Sequence, residues 1–220
     1  MRRAAAALGL CALLAAPTAR ACDVALLLAM DVSGSVDRGE YRMQTGGLAA
    51  ALGDPQVVAA LIAGQAAIAV AQWSGVGQQA LSIPWQRLLE PVDVARLAAQ
   101  VAAMPRAFDR SDTAVGDAIR HGAAQFTQAA DCDRRVIDIS GDGSANAGLP
   151  AEPQSRRAQA AGITINAIAI EDMGRGISVT EFYRRLVITR GGFVVTARGH
   201  LDYTRAIQAK LLREVVSPSG

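Results

Sequence analysis

The residues best suited to chemistry in this sequence are side-chain oxygens. Asp31, Ser33 and Ser35 stand on alternate positions in the stretch DVSGS, which directly follows the apolar run VALLLAM. In an extended loop, alternate side chains point the same way, so the three can converge. Further along, RSDTAVGDAI puts Thr113 where a helix begins, and ISGDGSAN puts Asp142 just past another apolar run. Two carboxylates and three hydroxyls form a donor set without His or Cys. That set suits a hard cation: Mg2+ first, with Mn2+ or Ca2+ as alternatives, and not Zn2+. Neutral hydroxyl donors leave the cation much of its charge, enough to attract one further anionic ligand. Taken singly, each piece has a plain structural reading. Asp and Ser favour turns and helix caps, Thr113 suits an N-cap, and Asp142 beside glycine suits a turn. Their order, at strand ends and at a helix start, is what joins them.

The elements that must position these residues are legible as hydrophobic patterns. Strand-like runs are Val24 to Met30, Ala66 to Trp73, Gln79 to Trp85, Arg135 to Ser140, Ile163 to Ile170 and Phe193 to Ala197. Several are apolar on consecutive positions, as strands covered on both faces should be. Helical patterns lie between them, over Asp37 to Leu52, Val92 to Met104, Thr113 to Gln128, Glu152 to Ala161, Val179 to Ile188 and His200 to Val216. Asp54-Pro55 and Glu90-Pro91 mark helix starts or turns, and Val57 to Trp73 reads as a helix end followed by a strand. The alternation predicts an α/β fold with a doubly wound, mostly parallel sheet and helices on both faces. Only SGVGQ separates the second and third runs, too short for a helical crossover. Those two should form a hairpin with one antiparallel edge strand, where Pro84 is tolerated. Open sheets of this kind bind ligands at the carboxyl ends of their strands, which is where Asp31 and Asp142 fall.

The pattern Asp-x-Ser-x-Ser, then Thr, then Asp-Gly resembles the metal-ion-dependent adhesion site (MIDAS) of von Willebrand factor A (vWA) domains. Here it is carried by Asp31, Ser33, Ser35, Thr113, Asp142 and Gly143. The likeness covers nearly all of Cys22 to Val216, and the chain is similar to a group of exported bacterial vWA-like proteins. The resemblance implies a six-stranded vWA/Rossmann-like sheet in the order 3-2-1-4-5-6. It also implies direct ligation by Ser33 and Ser35, with Thr113 direct or through water and Asp31 and Asp142 largely through water. A Glu or Asp carboxylate on a protein partner would complete the coordination. One departure is SGDG, where many members have TDG; Ser140 and Gly141 then precede the acid.

Cys22 lies nine residues before Asp31, and Cys132 lies ten before Asp142. If both acids mark the tops of neighbouring strands, as the family's strand order implies, both cysteines lie near the bottom. Adjacent strands are about 4.8 Å apart, within reach of a disulfide. A Cys22–Cys132 bridge is therefore expected. Its rival is a lipid on Cys22, because residues 1–21 read as a cleaved secretory signal: Arg2 and Arg3, the apolar stretch Ala4 to Ala16, then Ala19-Arg20-Ala21. The expected organisation is thus a signal peptide at 1–21, one domain at 22–216, and a loose tail at 217–220. Export would be to the periplasm or beyond the cell, and no membrane span remains after cleavage.

Formal charge is +2 over 220 residues and falls to −1 once Arg2, Arg3 and Arg20 leave with the signal. With no basic cluster, nucleic acid is not an expected partner. Enzyme motifs are also missing. A haloacid-dehalogenase-type phosphatase needs a second acid where Ser33 stands, and neither a P-loop nor G-x-S-x-G occurs. A metal-dependent phosphate-ester hydrolase and a purely structural metal remain the alternatives to an adhesion-type binding module. His121 and His200 read as surface or capping residues. Asp109, Asp112 and Asp117 read as solvated charge around Thr113. Gly174 and Gly176, with Glu171 and Asp172, mark a loop at the upper rim. Lys210, the only lysine, falls in the last helical pattern, far along the chain from the DVSGS loop.

Overall fold

The apolar runs become the strands of a single sheet, and the amphipathic segments cover it. The computed structural model describes residues 22–109, 111–129, 131–171 and 178–216. The proposed signal, the 217–220 tail, and Asp172, Gly174 and Gly176 lie outside the described residues. In chain order the elements are β1 (Cys22–Asp31), α1 (Arg38–Leu52), α2 (Pro55–Ala63), β2 (Ala67–Trp73), β3 (Gln79–Arg87), α3 (Pro91–Ala102), α4 (Val115–Gln125), β4 (Cys132–Gly141), α5 (Ala151–Ala160), β5 (Ile163–Glu171), α6 (Val179–Leu186), β6 (Val194–Arg198) and α7 (Tyr203–Val215). The sheet order is β3-β2-β1-β4-β5-β6. Every neighbouring pair is parallel except the β2–β3 hairpin, as its short connection requires. Pro84 sits on the edge strand, beside an irregularity in the β2–β3 register.

Alternation along β1 divides the core into two layers. Leu26, Leu28 and Met30 pack with residues of α1, α2, α3 and α7. Ala25, Leu27 and Ala29 pack with residues of α4, α5 and α6. Both faces are covered, so consecutive positions must be apolar, which is why the strands lack a polar stripe. Helix starts follow local chemistry. Asp37 caps α1 in a reciprocal capping box with Glu40, and Asp54 with Pro55 opens α2.

Two boundaries differ from expectation. The helix expected from Thr113 begins at Val115, with Ala114 as its N-cap, and the Thr113 and Ala114 amides tie this segment to neighbouring loops by donating to Asn146 Oδ1 and the Ser74 carbonyl. The last helix opens with a 3-10 turn at His200–Asp202 after Gly199, which has a positive φ of 72°. His200 is buried rather than exposed, with Nδ1 3.3 Å from Glu40 Oε1 and Nε2 3.3 Å from Gln44 Nε2.

The strands' amino ends carry the predicted disulfide. Cys22 and Cys132 are register partners on β1 and β4, with Cα atoms 4.3 Å apart and the sulfurs bonded. The layer under α7 also holds an ion cluster. Lys210 Nζ lies 2.6 Å from Asp138 Oδ1 on β4 and 2.5 Å from Glu214 Oε1. Asn166 Nδ2 on β5 donates to the same Glu214 oxygen at 2.9 Å. All three charged side chains are buried.

Candidate metal centre at the carboxyl ends of the strands

Three loops meet where β1 and β4 end. Asp31 is the last residue of β1, and Asp142 follows the last residue of β4. Because Met30 pairs with Ser140, the register brings Asp31 beside Gly141. Asp31 is fully buried, and its Oδ1 accepts from the Ser33 amide at 2.7 Å, closing the turn that aims the serines. A line of oxygens runs from there. Thr113 Oγ1 donates to Ser33 Oγ at 3.2 Å, and Ser33 Oγ lies 3.2 Å from Ser35 Oγ. Ser35 Oγ donates to Asp142 Oδ1 at 2.6 Å. The fold therefore gathers all five residues singled out above. Ser33 and Thr113 are buried, while Ser35 is exposed. The line is open to solvent at its Ser35–Asp142 end.

Neither capping reading holds. Asp37, not a serine of DVSGS, caps α1, and Thr113 makes no cap bond on α4. Its hydroxyl points to Ser33 instead.

Residues that the sequence reading did not single out, or read as solvent-facing, fix the loops. Arg106 Nη2 donates to the carbonyls of Val32 (2.8 Å) and Ser33 (2.9 Å), and its Nε to Phe108 O. The guanidinium thus ties the β1 loop to the segment before α4, and Gly34 N donates to Ser111 O as a second tie. Asn146 joins the β4 loop to Thr113 twice, through Oδ1 to Thr113 N and through its own amide to Thr113 O. Asp117 is buried rather than solvated. Its Oδ2 accepts from Leu149 N at 2.8 Å, and Arg120 reaches its other oxygen. A Cβ on Gly148 would strike Asp117 Oδ2, and φ there is +76°, so this tie also requires the glycine. Asn146 had only a loop's ordinary composition as a signal, and Arg106 had none. Glu171, expected at the rim, caps α6 by accepting from Ser178 Oγ and Thr180 N.

The electrostatics of the site are strained. Burial pushes the Asp31 carboxyl up to about 7, and the neighbouring Asp142 charge adds to the rise. The Ser33 hydrogen bonds and the Asp142 backbone offset only part of it. Asp31 Oδ2 is buried without a hydrogen-bond partner among the described residues. Two acids that repel each other, one with an orphaned oxygen, beside three hydroxyls, are what a divalent cation would relieve. Among the described residues no three His, Cys, Asp or Glu side chains cluster as a metal site. Any cation here would lean on hydroxyl oxygens.

Solved structures share this architecture. One is the proximal thread matrix protein 1 (PTMP1) of the mussel byssus, in a form with a zinc-occupied MIDAS motif. Its TM-score is 0.63 at 21% identity, over 89% of this chain and 48% of that one. The pilus adhesin SpaC of Lactobacillus rhamnosus GG aligns with TM-score 0.64 and 13% identity, over 88% of this chain and 30% of that one. The vWF domain of the type V pili tip protein Mfa5 of Porphyromonas gingivalis aligns with TM-score 0.63 and 10% identity, over 91% and 98%. The chain therefore spans about half the length of the mussel protein and under a third of the adhesin. These likenesses establish the vWA fold. No curated protein matches in sequence. A family model described as "Protein of unknown function (DUF1194)" matches residues 21–219, and the chain, a vWA fold over nearly its whole length, belongs to that family.

Proposed function

We propose that this protein is an exported, divalent-cation-dependent binding module of the adhesion type. Ser33, Ser35 and Thr113 would hold the ion through their hydroxyls, with Asp31 and Asp142 acting largely through water. The ion would supply a positive charge with a coordination position free for an Asp or Glu carboxylate of a protein partner. The observation that carries this reading is the unbroken line of oxygens from Thr113 through Ser33 and Ser35 to Asp142, open to solvent at one end. The all-oxygen donors favour Mg2+, with Mn2+ or Ca2+ as alternatives. The zinc in the mussel protein's MIDAS makes Zn2+ a necessary competitor in any test.

The pilus and matrix neighbours support adhesion over catalysis, and no residue is assigned a catalytic role. Residues 1–21 are proposed as a signal peptide ahead of a 22–216 domain, placing the protein in the periplasm or outside the cell. Among the described residues no single helix is long and apolar enough to cross a membrane. The α1–α2 pair passes such a test only together, bent by 66°, and packs on the sheet. With the disulfide formed, Cys22 has no thiol left for a lipid.

The test is calorimetry with Mg2+, Mn2+, Ca2+ and Zn2+ on the folded protein, with Asp31→Ala as control. Partner capture from the native cell envelope with Mg2+ or with EDTA follows. Saturable uptake lost in the variant, and capture lost with EDTA, support the proposal. Absence of divalent-ion uptake by folded wild type overturns it.

A further inference from the structure

Gln72 breaks the apolar run of β2 and is nevertheless buried. Its side-chain amide faces the segment after α3 and bonds the backbone there on both sides of Arg106. Nε2 donates to the Pro105 carbonyl at 2.9 Å, and Oε1 accepts from the Ala107 amide at 3.0 Å. Tyr41 Oη on α1 adds a third tie, donating to the Met104 carbonyl at 2.9 Å. The backbone that carries Arg106 is therefore pinned to the sheet and to α1. From this base the guanidinium reaches the DVSGS loop. Nη2 donates to the Val32 and Ser33 carbonyls at 2.8 and 2.9 Å, and Nε to Phe108 O at 2.8 Å. Asp109, 3.9 Å from Nε, is 75% exposed, so the carbonyls rather than an ion pair hold the fork. Val32, Val36 and Tyr41 pack with Phe108 and close the apolar side of the same loop.

Resting on the cation-binding reading above, we infer that Arg106 is a positioning residue that sets the ion selectivity of the candidate metal site. Ser33 and Ser35 are its proposed direct ligands, and hydroxyls on a free loop would adjust to an ion of any size. Mg2+ demands near-ideal octahedral geometry at about 2.0–2.1 Å, whereas Ca2+ accepts flexible shells at about 2.3–2.6 Å. A loop held at two successive carbonyls favours the ion with the stricter geometry. The planar fork of arginine fixes both bonds at once; the flexible ammonium of lysine would not. The charge of Arg106 would by itself repel a divalent ion, so position and charge act in opposite directions.

The experiment measures Mg2+ and Ca2+ affinity by calorimetry for the full chain with its disulfide intact, in wild type, Arg106→Gln and Arg106→Lys. Competition against Mn2+ reads the weaker ion. Both variants should bind Mg2+ about 10- to 100-fold more weakly. Ca2+ should lose much less, so the ratio of Mg2+ to Ca2+ affinity should fall about tenfold or more. In EDTA, amide hydrogen exchange should quicken across residues 32–35 and hold steady in the middle of β1. Unchanged Mg2+ affinity or unchanged exchange would overturn the inference. So would equal fold-losses for the two ions, the mark of a general loosening, or tighter Mg2+ binding in Arg106→Gln, the mark of a charge effect. Should Arg106→Gln misfold, Arg106→Lys decides alone. Wild type that takes Ca2+ but not Mg2+ also overturns it. Wild type that binds neither ion removes the cation site and this inference together. Wild type that binds normally beside unaffected variants removes only this inference.

Discussion

Replacing Lys210 by methionine removes the one positive charge from a cluster that cannot reach water. In the native fold Nζ lies 2.6 Å from Asp138 Oδ1 and 2.5 Å from Glu214 Oε1, with all three side chains at 2% exposure or less. Methionine fills most of the volume, so the loss is mainly electrostatic. Glu214 would then keep only the neutral donor Asn166 Nδ2, and Asp138 would have no hydrogen-bond donor among the described residues. Breaking a buried ion pair from one side costs about 3–5 kcal/mol. A domain of this size shifts its melting temperature about 2–4 °C per kcal/mol, so a fall of roughly 6–20 °C is expected at pH 8. The penalty should shrink at pH 5. Burial, and then Asp138, push the Glu214 carboxyl above its ordinary value even with Lys210 present, and without the ammonium Glu214 would take a proton more readily still. Thermal melts followed by circular dichroism at the two pH values, with Mg2+ present, give both numbers. Pairing Lys210→Met with Asp138→Asn and Glu214→Gln should recover most of the loss, because no charge remains to strand. An unchanged melting temperature at pH 8, or a penalty that grows in acid, would refute the assignment of α7 docking to this cluster.

Four further outcomes are expected. In EDTA, wild type should be more stable near pH 5 than near pH 8. The folded pKa of Asp31 is raised from 3.8 to about 7, so its contribution is complete below 3.8 and is lost as pH rises through 7; melts across that range check this. The same proton competes with the cation, so Mg2+ affinity should fall on the order of 100-fold from pH 8 to pH 5, and Asp31→Asn should flatten that dependence. Cys132→Ser should cost up to about 4–5 kcal/mol by urea denaturation, given the 110-residue separation that the bridge closes; intact mass should show the two-proton loss of the disulfide and no acyl group. Asp117→Ala leaves the Leu149 amide without its partner, costing about 1–3 kcal/mol, and should weaken Mn2+ binding by loosening the loop that carries Asp142.

The sequence by itself determined what local chemistry can write. Apolar runs specified six strands, several of them apolar on consecutive positions and so covered on both faces, and all six appear within a few residues of their expected ends. The five-residue SGVGQ link forced a hairpin. DVSGS specified its own turn, because the Asp31 carboxylate and the Ser33 amide are two residues apart. The similar depth of Cys22 and Cys132, nine and ten residues below their acids, gave the disulfide once the family resemblance had put their strands side by side. Only the tertiary structure decided which distant groups meet. Asp117 looked like an exposed first-turn acid until the β4 loop folded over it. Thr113 looked like a cap until Asn146 held its amide and the helix started two residues later, at Val115. The pairing of Lys210 with Asp138, and the reach of Arg106 to the Val32 and Ser33 carbonyls, join segments far apart in the chain. No periodicity or motif encodes such contacts, because their energy comes from burial and desolvation, and those exist only once the sheet and its helices have closed around them.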